Sequence, residues 1–218
     1  MSENTSESFD PVAAAEAAGI ERDEIPVWDD EYLDRVSDRL MFNYDLERDE
    51  TVRGERFPLF AEMRMESQKH FFHPSLEYAN HEHREFLFAR RVDRPTVAEL
   101  ERLVALGHDL ADDEAWVQPD EEHFGTDFTF VIVADELPSE VAEFVAEFKD
   151  RTLLKFGYYG HYEIGLAVVA PEREEIVKSD SAASAEAFAL WRDVPPAAER
   201  TILGRLRDAV AKRLDPGQ

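Results

Sequence analysis

Residues 59–71, LFAEMRMESQKHF, decide the fold because apolar and polar side chains alternate along them. One face of this extended segment carries Leu59, Ala61, Met63, Met65 and Phe71, and the other carries Glu62, Arg64, Glu66, Gln68 and His70. An alternation of this length is typical of a strand in an antiparallel sheet that has one solvated face. The segment therefore predicts a long strand in the first half of the chain.

Further strands are predicted on both sides of this segment. They lie at residues 42–47, 86–90, 127–134, 152–156 and 161–169. Residues 127–134, DFTFVIVA, have the apolar content of a well-buried strand. Gly157 and Gly160 bracket a turn between the last two strands. Pro171 is predicted to end the sheet, and the chain after it is predicted to be helical.

The helices are predicted from apolar spacing and from the residues that begin them. Asp29 and Asp30 precede an apolar stripe, and acidic residues favour the N-terminus of a helix. Thr96 and Glu99 have the spacing of a capping box, in which a hydroxyl accepts a backbone hydrogen bond three residues on. Ser139 begins another predicted helix.

This order of elements predicts an α+β fold. We expect a largely antiparallel sheet in a single domain, with helices packed mainly on one face. The 218 residues suit one hydrophobic core. We divide them into an acidic flexible N-terminal tail (1–25), an α+β core (26–178) and a C-terminal helical segment (179–218).

The net charge of the chain predicts the salt concentration in which the protein works. It has 49 acidic and 24 basic residues and a formal net charge of −25. A charge of this size strains a compact domain by self-repulsion at ordinary ionic strength. Salt relieves the strain, because the Debye length falls from about 10 Å at 0.1 M to about 3 Å at 1 M. We therefore expect a protein that works in molar salt, from an extreme halophile.

The composition also excludes or disfavours several classes of function. The absence of cysteine excludes disulfides, thiolate metal sites and a cysteine nucleophile. We expect a cytoplasmic protein, because no apolar run approaches the ~18 residues that span a bilayer and no secretory signal is visible. The negative charge argues against nucleic acid as a partner. Phosphate-loop, dinucleotide-binding and serine-hydrolase motifs are absent.

The first candidate site is a group of histidines in the middle of the chain. If residues 81–85 are extended, His81, His83 and Glu85 lie on one side, because strand side chains alternate. Two imidazoles and a carboxylate can bind zinc, iron or manganese and leave positions open for water. A divalent transition metal is thus the one cofactor class that has candidate ligands. The alternative is a solvated polar segment without a ligand.

The second candidate site is the segment KFGYYGHYE at residues 155–163. Its glycines allow a sharp turn that displays aromatic rings, and the candidate ligand-binding residues are Lys155, Tyr158, Tyr159 and His161. His161 and Glu163 share a face if a strand begins at residue 161, which makes them a candidate acid–base pair. The alternative is a hairpin whose tyrosines pack across the strands and need no ligand.

Asp127 is a further catalytic candidate. A carboxylate that enters an apolar strand can be catalytic or can bind a metal, and it can equally cap a loop. The basic amphipathic helix predicted at residues 197–214 suits docking on the core, or contact with an anionic partner or a second subunit. No oligomeric state is predicted.

Three stretches of the chain resemble a known family. Residues 30–47 (DEYLDRVSDRLMFNYDLE), 56–74 (RFPLFAEMRMESQKHFFHP) and 151–163 (RTLLKFGYYGHYE) are similar to an uncharacterised family of haloarchaeal proteins. The similarity runs from about residue 28 to residue 171. Because that family has no assigned activity, the resemblance implies a halophilic source and a single domain but no catalytic or binding residue.

These observations favour a non-enzymatic α+β domain that acts through a protein partner or a small ligand. The absence of a recognisable catalytic motif favours the non-enzymatic interpretation. The surface expected to make the contact is residues 157–163, because several chemically useful side chains converge there. The alternative is a metal-dependent hydrolase that uses His81, His83 and Glu85, with His161 and Glu163 beside them. An enzyme requires these groups to converge in one pocket, whereas a binding domain requires only a contiguous exposed patch.

The net charge makes the stability of the fold depend on salt. We expect the melting temperature to rise as KCl is increased from dilute buffer to molar concentration, because screening weakens the repulsion between carboxylates. Thermal unfolding followed by circular dichroism along a KCl titration measures this. A melting temperature that stays constant across the titration contradicts the expectation of a halophilic protein.

Overall fold

The structure, a computed structural model, describes residues 26–68 and 80–192, with only the backbone described at residues 66–68, 80 and 81. This part of the chain forms the helices α1 (Glu31–Leu40), α2 (Val97–Ala111) and α3 (Ser139–Glu147). Its strands are β1 (Asp45–Val52), β2 (Glu55–Gln68), β3 (Asn80–Arg91), β4 (His123–Val133), β5 (Asp150–Leu153), β6 (His161–Ala170) and β7 (Glu175–Lys178). Short 3-10 segments lie at Leu154–Gly157, Pro171–Arg173 and Ala183–Phe188.

The strands form one sheet in the order β1-β2-β3-β4-β6-β5, and β7 also pairs with β6. The pairs β3–β4 and β4–β6 are parallel, whereas the other four pairs are antiparallel. The predicted α+β fold with a mostly antiparallel sheet is therefore confirmed. The parallel centre depends on α2, which connects β3 to β4, because parallel neighbours need a crossover connection.

One face of the sheet is covered by α2 and α3. Its core is built from phenylalanine rings on β2, β3 and β4, namely Phe57, Phe86, Phe88, Phe128 and Phe130. Burial of one such side chain stabilises the fold by roughly 1.5–3 kcal/mol. Leu100, Leu103 and Leu110 of α2 pack against these rings. The apolar stripe predicted for this helix thus faces the sheet.

Within residues 26–68 and 80–192, the opposite face is covered only in part, by α1 and the 3-10 segment Ala183–Phe188. Leu33, Val36 and Leu40 of α1 are buried there with Phe188. No helix in residues 26–68 and 80–192 is long and apolar enough to cross a membrane.

The predicted starts of two helices are confirmed by their caps. The Asp30 carboxylate accepts hydrogen bonds from the backbone N–H groups of Tyr32 and Leu33 at the start of α1. The Thr96 hydroxyl accepts one from the N–H of Glu99 at the start of α2. Each cap satisfies backbone donors that have no partner inside the helix.

The strand predicted at 42–47 begins only at Asp45. Two other predicted boundaries were wrong for reasons of backbone geometry. The strand predicted at 152–156 ends at Leu153, because Lys155 and Phe156 have the left-handed φ values of 47° and 61° and turn the chain. The sheet does not end at Pro171. Glu174 has a φ of 55°, which reverses the chain so that β7 can pair with β6.

The N-terminal tail (1–25) and the basic helix predicted at 197–214 lie outside the described residues. The division at residue 178 stays a prediction. Ala182, Ala185 and Phe188, which follow it, are buried against the same sheet face as α1.

Gly160, which precedes β6, is expected to tolerate no side chain. Its φ is +71°, and a Cβ there would lie 2.1 Å from the carbonyl oxygen of Phe124. Gly54 is the matched control, because its φ is +86° but nothing lies within 4 Å of its Cβ position. We expect Gly160→Ala to lower the free energy of unfolding by about 3 kcal/mol or more, and Gly54→Ala by about 1–2 kcal/mol. Chemical denaturation at constant KCl measures both, and equal losses contradict the prediction.

Candidate functional site

Two neighbouring rows of polar residues cross the sheet face that α1 covers in part. In one row, Glu85 of β3 pairs with Asp127 of β4, which pairs with Glu163 of β6. In the other, Gly125 lies between His83 and His161 in the same strands. Both rows lie on one face, because residues two apart in a strand point to the same side.

Arg151 of β5 extends the first row, since it is paired in register with Glu163. We call six residues the polar cluster: His83, Glu85, Asp127, Arg151, His161 and Glu163. The rows lie near the N-terminal ends of β3, β4 and β6. Further along the same face, the strands carry the apolar residues Leu87, Ala89, Val131, Val133, Ala167 and Val169, which are buried under α1 and the segment Ala183–Phe188.

Glu85 is the most buried member of the polar cluster, with 8% of its surface exposed. Its Oε2 accepts a hydrogen bond from the Tyr44 hydroxyl at 2.8 Å. Its Oε1 accepts one from the Thr129 hydroxyl at 3.1 Å and another from the Ser184 hydroxyl. Burial and the neighbouring Glu85 carboxylate raise the pKa of Tyr44, so its hydroxyl stays a donor. The bonds from Tyr44 and Ser184 join the sheet to segments outside it, and the bond from Thr129 joins the neighbouring strands β3 and β4.

His83 and Asp127 form a hydrogen-bonded pair. Nε2 of His83 lies 3.1 Å from Oδ2 of Asp127, and 21% of each side chain is exposed. The hydrogen bond to Asp127 raises the pKa of His83 although burial opposes this. The second carboxylate oxygen, Oδ1 of Asp127, is buried without a hydrogen-bond partner in the described residues. The pair therefore contains one buried acceptor whose hydrogen bond is not supplied by the described residues.

His161 lies between Arg151 and Glu163. Nη2 of Arg151 is 3.3 Å from Nδ1 of His161, and Nη1 of Arg151 is 3.2 Å from Oε1 of Glu163. Burial and the Arg151 charge lower the pKa of His161. Burial and the Asp127 charge raise the pKa of Glu163. The pKa of His161 is thus lowered and the pKa of His83 is raised, although both residues lie in the polar cluster.

Gly125 allows the two imidazoles to approach each other. A Cβ at this position would lie 2.9 Å from Nδ1 of His83 and 3.3 Å from Nε2 of His161. Any larger residue would push the rings apart. Nδ1 of His83 on β3 and Nε2 of His161 on β6 therefore both lie close to the glycine of the strand between them.

The structure brings together residues that the sequence indicated as separate candidates. Asp127, His161 and Glu163, the candidate catalytic residues, lie in the polar cluster with His83 and Glu85 from the candidate metal site. The backbone of His81 lies in β3, but its side chain is outside the described part.

The predicted metal site gains no further support from the described side chains. Among them, no group of three or more His, Cys, Asp or Glu residues is placed to bind a metal ion. Both oxygens of Glu85 already accept hydrogen bonds from hydroxyl groups. Metal binding through His81, His83 and Glu85 stays a prediction.

The predicted ligand-binding residues of the hairpin do not all face one site. Lys155 and Tyr158 are exposed, and Phe156 beside them is 97% exposed. Tyr159 is half-buried, and its backbone carbonyl accepts a hydrogen bond from Nδ1 of His123 at 2.6 Å. Only His161 of this group belongs to the polar cluster.

Sequence reasoning missed Gly125, Arg151 and the hydroxyl donors to Glu85. Arg151 lies on β5, the other strand of the hairpin, ten residues before His161. The available signal was that the side chains of Arg151 and His161 can meet across this hairpin. No local signal marks Gly125 or Thr129. Their roles depend on pairing with β3, about 40 residues earlier in the chain.

The opposite pKa shifts of the two histidines can be measured. We expect His83 to titrate above, and His161 below, the ordinary histidine value of about 6.5. Asp127→Asn should lower the pKa of His83, because it removes the carboxylate that stabilises the imidazolium. The control is Asp150→Asn, whose carboxylate contacts His108 and not His83. Side-chain NMR titration of the full chain measures these values, and identical titration of His83 and His161 contradicts the expectation.

Comparison with known proteins identifies a family. A family model described as a domain of unknown function (DUF8052) matches residues 29–190. No curated protein and no solved structure matches the chain. The matched range contains all of the described strands and helices and every residue of the polar cluster. The chain therefore belongs to the family defined by the domain of unknown function DUF8052.

Proposed function

We propose that the protein binds a small polar ligand at the polar cluster. The observation that carries the proposal is the pair of polar rows on adjacent strands, on a sheet face whose other half is largely apolar and covered. Burial of charged side chains is unfavourable unless each is paired. Stability alone would be served better by apolar residues at these positions.

Unused hydrogen-bonding capacity supports a ligand. Oδ1 of Asp127 is a buried acceptor without a partner in the described part of the chain. Nδ1 of His83 and Nε2 of His161 both lie close to Gly125, 2.9 Å and 3.3 Å from the position that a Cβ would take there. Buried polar atoms in proteins are nearly always paired with protein, water or ligand atoms. A ligand that offers both a donor and an acceptor would satisfy this group.

The surroundings suggest the kind of ligand. Met65 and Leu153 stand in register with His83 and His161 and extend that row at its two ends. They are 43% and 58% exposed, so the polar centre has apolar borders. The polar cluster contains three carboxylates, two imidazole rings and one guanidinium group. The number of carboxylates disfavours a strongly anionic ligand. A small neutral molecule with apolar ends fits best.

Contact with a protein partner through the hairpin is the second candidate. The left-handed backbone at Lys155 and Phe156 holds the ring of Phe156 in solvent, next to Tyr158, which is 86% exposed. Exposed aromatic side chains are enriched in protein interfaces. The two surfaces can be distinguished, because Phe156 and Tyr158 are not part of the polar cluster.

Ligand binding can be tested with a fragment library. Small neutral and charged fragments are screened by ligand-observed NMR against the wild-type protein, Gly125→Val and Tyr158→Ser in concentrated KCl. We expect a set of neutral fragments to bind the wild type and Tyr158→Ser but not Gly125→Val, because valine would occupy the space between the imidazoles. Circular dichroism checks that all three proteins are folded.

Two results would count against the proposal. The first is a wild-type protein whose bound fragments all remain bound to Gly125→Val. The second is loss of binding in Tyr158→Ser alone, which would move the ligand to the hairpin.

A further inference from the structure

A groove lies at the end of the sheet opposite to the polar cluster. Its volume is about 510 Å³, and it is bounded by the first turns of α1, by Arg91 at the end of β3, by the turn between β6 and β7, and by Leu190 and Trp191. It lies near the C-terminal ends of β3 and β6, and none of the residues that line it belongs to the polar cluster. The groove is therefore separate from the ligand site proposed above.

The walls of this groove combine apolar surface with negative charge. The apolar part consists of Tyr32, Pro171, Leu190 and Trp191, which are all half-buried within the described part of the chain. Four acidic residues and two arginines line the rest, which gives a net charge of −2. A cationic segment with an apolar face therefore fits the groove.

Three of the four acidic residues are available to such a segment. Arg91 already pairs with Asp30, so one arginine offsets one carboxylate. Glu31, Glu172 and Glu174 are exposed, and none of them forms an ion pair within residues 26–68 and 80–192. Their carboxylates can accept charge-assisted hydrogen bonds from arginine or lysine side chains.

The described chain ends beside this groove. Arg39 of α1 donates hydrogen bonds to the backbone carbonyl oxygens of Ala189, Leu190 and Arg192, at 3.0, 3.1 and 3.0 Å. These bonds hold the chain against α1 up to the last described residue. Residues 193–196 span at most about 14 Å. The basic helix predicted at residues 197–214 therefore begins close to the groove.

We propose that the groove is the docking site of a basic amphipathic helix, and that its occupant is residues 197–214 of the same chain. The apolar stripe of this predicted helix packs against the apolar wall of the groove and consists of Ile202, Leu203, Leu206, Val210 and Leu214. A helix of this length extends about 27 Å, so it lies across the groove and only part of its stripe enters. The proposal does not rest on ligand binding at the polar cluster.

Charge favours this segment over the other end of the chain, which also begins next to α1. Residues 197–214 contain five basic and two acidic residues, whereas residues 1–25 contain one basic and seven acidic residues. An acidic groove attracts the first segment and repels the second. In molar salt the charges act only over about 3 Å, so apolar contact holds the helix and the charges act where the surfaces meet. A short linker keeps the effective concentration on the order of millimolar, so a modest affinity is sufficient.

Helical periodicity divides the basic residues of the segment into two sets. At about 100° per residue, Arg200 and Arg207 lie along one border of the apolar stripe, and Arg205 and Lys212 lie on the opposite face. In the docked helix the first pair reaches the carboxylates of the groove, and the second pair stays in solvent. Both pairs have a spacing of seven residues, so the second is a matched control for the first.

Paramagnetic relaxation measured by NMR tests the docking. The chain has no cysteine, so Ala211→Cys in the full chain carries a nitroxide label at one position, outside the apolar stripe. We expect the amide signals of Glu31, Glu172 and Trp191 to lose intensity with the oxidised label and to regain it when the label is reduced. The spectra are recorded at the lowest KCl concentration at which circular dichroism shows a folded protein, because screening is weakest there.

Two charge-reversal variants distinguish docking from a segment that only passes near the groove. Arg200→Glu/Arg207→Glu should restore most of the lost intensity. Arg205→Glu/Lys212→Glu changes the net charge by the same amount and should leave the loss as it is. A segment without a docking site would respond equally to both changes.

Reversal of the charge of the groove gives an independent test. Glu172→Lys/Glu174→Lys should restore intensity at Trp191, because these carboxylates no longer attract the helix. Combination of this variant with Arg200→Glu/Arg207→Glu should abolish that intensity again, because the interacting charges are exchanged between the two sides.

The inference is overturned if the two charge-reversal variants of the helix restore intensity to the same extent, or if neither restores it. A second copy as the occupant is detected in a mixture of ¹⁵N-labelled protein without nitroxide and unlabelled protein with it. Loss of the groove signals in that mixture, equal to the loss within one chain, overturns the assignment to the same chain. Each result leaves the ligand proposal as it stands, since that proposal depends on Gly125.

Discussion

Parallel pairing of β3, β4 and β6 places three carboxylates side by side, and the rest of the site depends on how their repulsion is offset. Adjacent strands lie about 4.8 Å apart. Two unit charges about 5 Å apart interact by roughly 3 kcal/mol at an effective dielectric constant of 20. Each carboxylate has its own compensation: hydroxyl donors for Glu85, His83 for Asp127 and Arg151 for Glu163. Removal of any one would leave a partly buried charge beside two others.

The elements that cover the sheet explain where the site lies in it. In open α/β sheets, ligands bind beyond the C-terminal ends of the strands. Here α2 and α3 cover one face, and α1 with Ala183–Phe188 covers the C-terminal half of the other. No described helix covers the N-terminal half of that second face. Ser184 reaches Glu85 from the covering segment, so the border between the two halves is fixed by a hydrogen bond to the polar cluster itself.

Local patterns were sufficient for the elements but not for the site. Alternation in β2 and the caps at Asp30 and Thr96 act over a few residues, so the sequence predicts them well. Asp127 and His161 were each recognised as candidates, but their proximity depends on pairing between strands more than thirty residues apart. The left-handed turn at Phe156 was missed because such backbone angles are rare for residues other than glycine.

The strongest argument for function comes from the strands themselves. Two residues beyond the carboxylate row, β3 and β4 place Leu87 and Thr129 on the same face, and two residues later they place Ala89 and Val131 there. The backbone thus accepts apolar packing on these strands, under the segments that cover their C-terminal halves. The change to histidine and carboxylate is not imposed by the fold. Glu85 can be explained as a structural anchor, because all of its hydrogen bonds are made within the protein. Asp127 cannot be explained completely in this way, since its Oδ1 is buried without a hydrogen-bond partner among the described residues, beside two imidazoles that pack closely over Gly125.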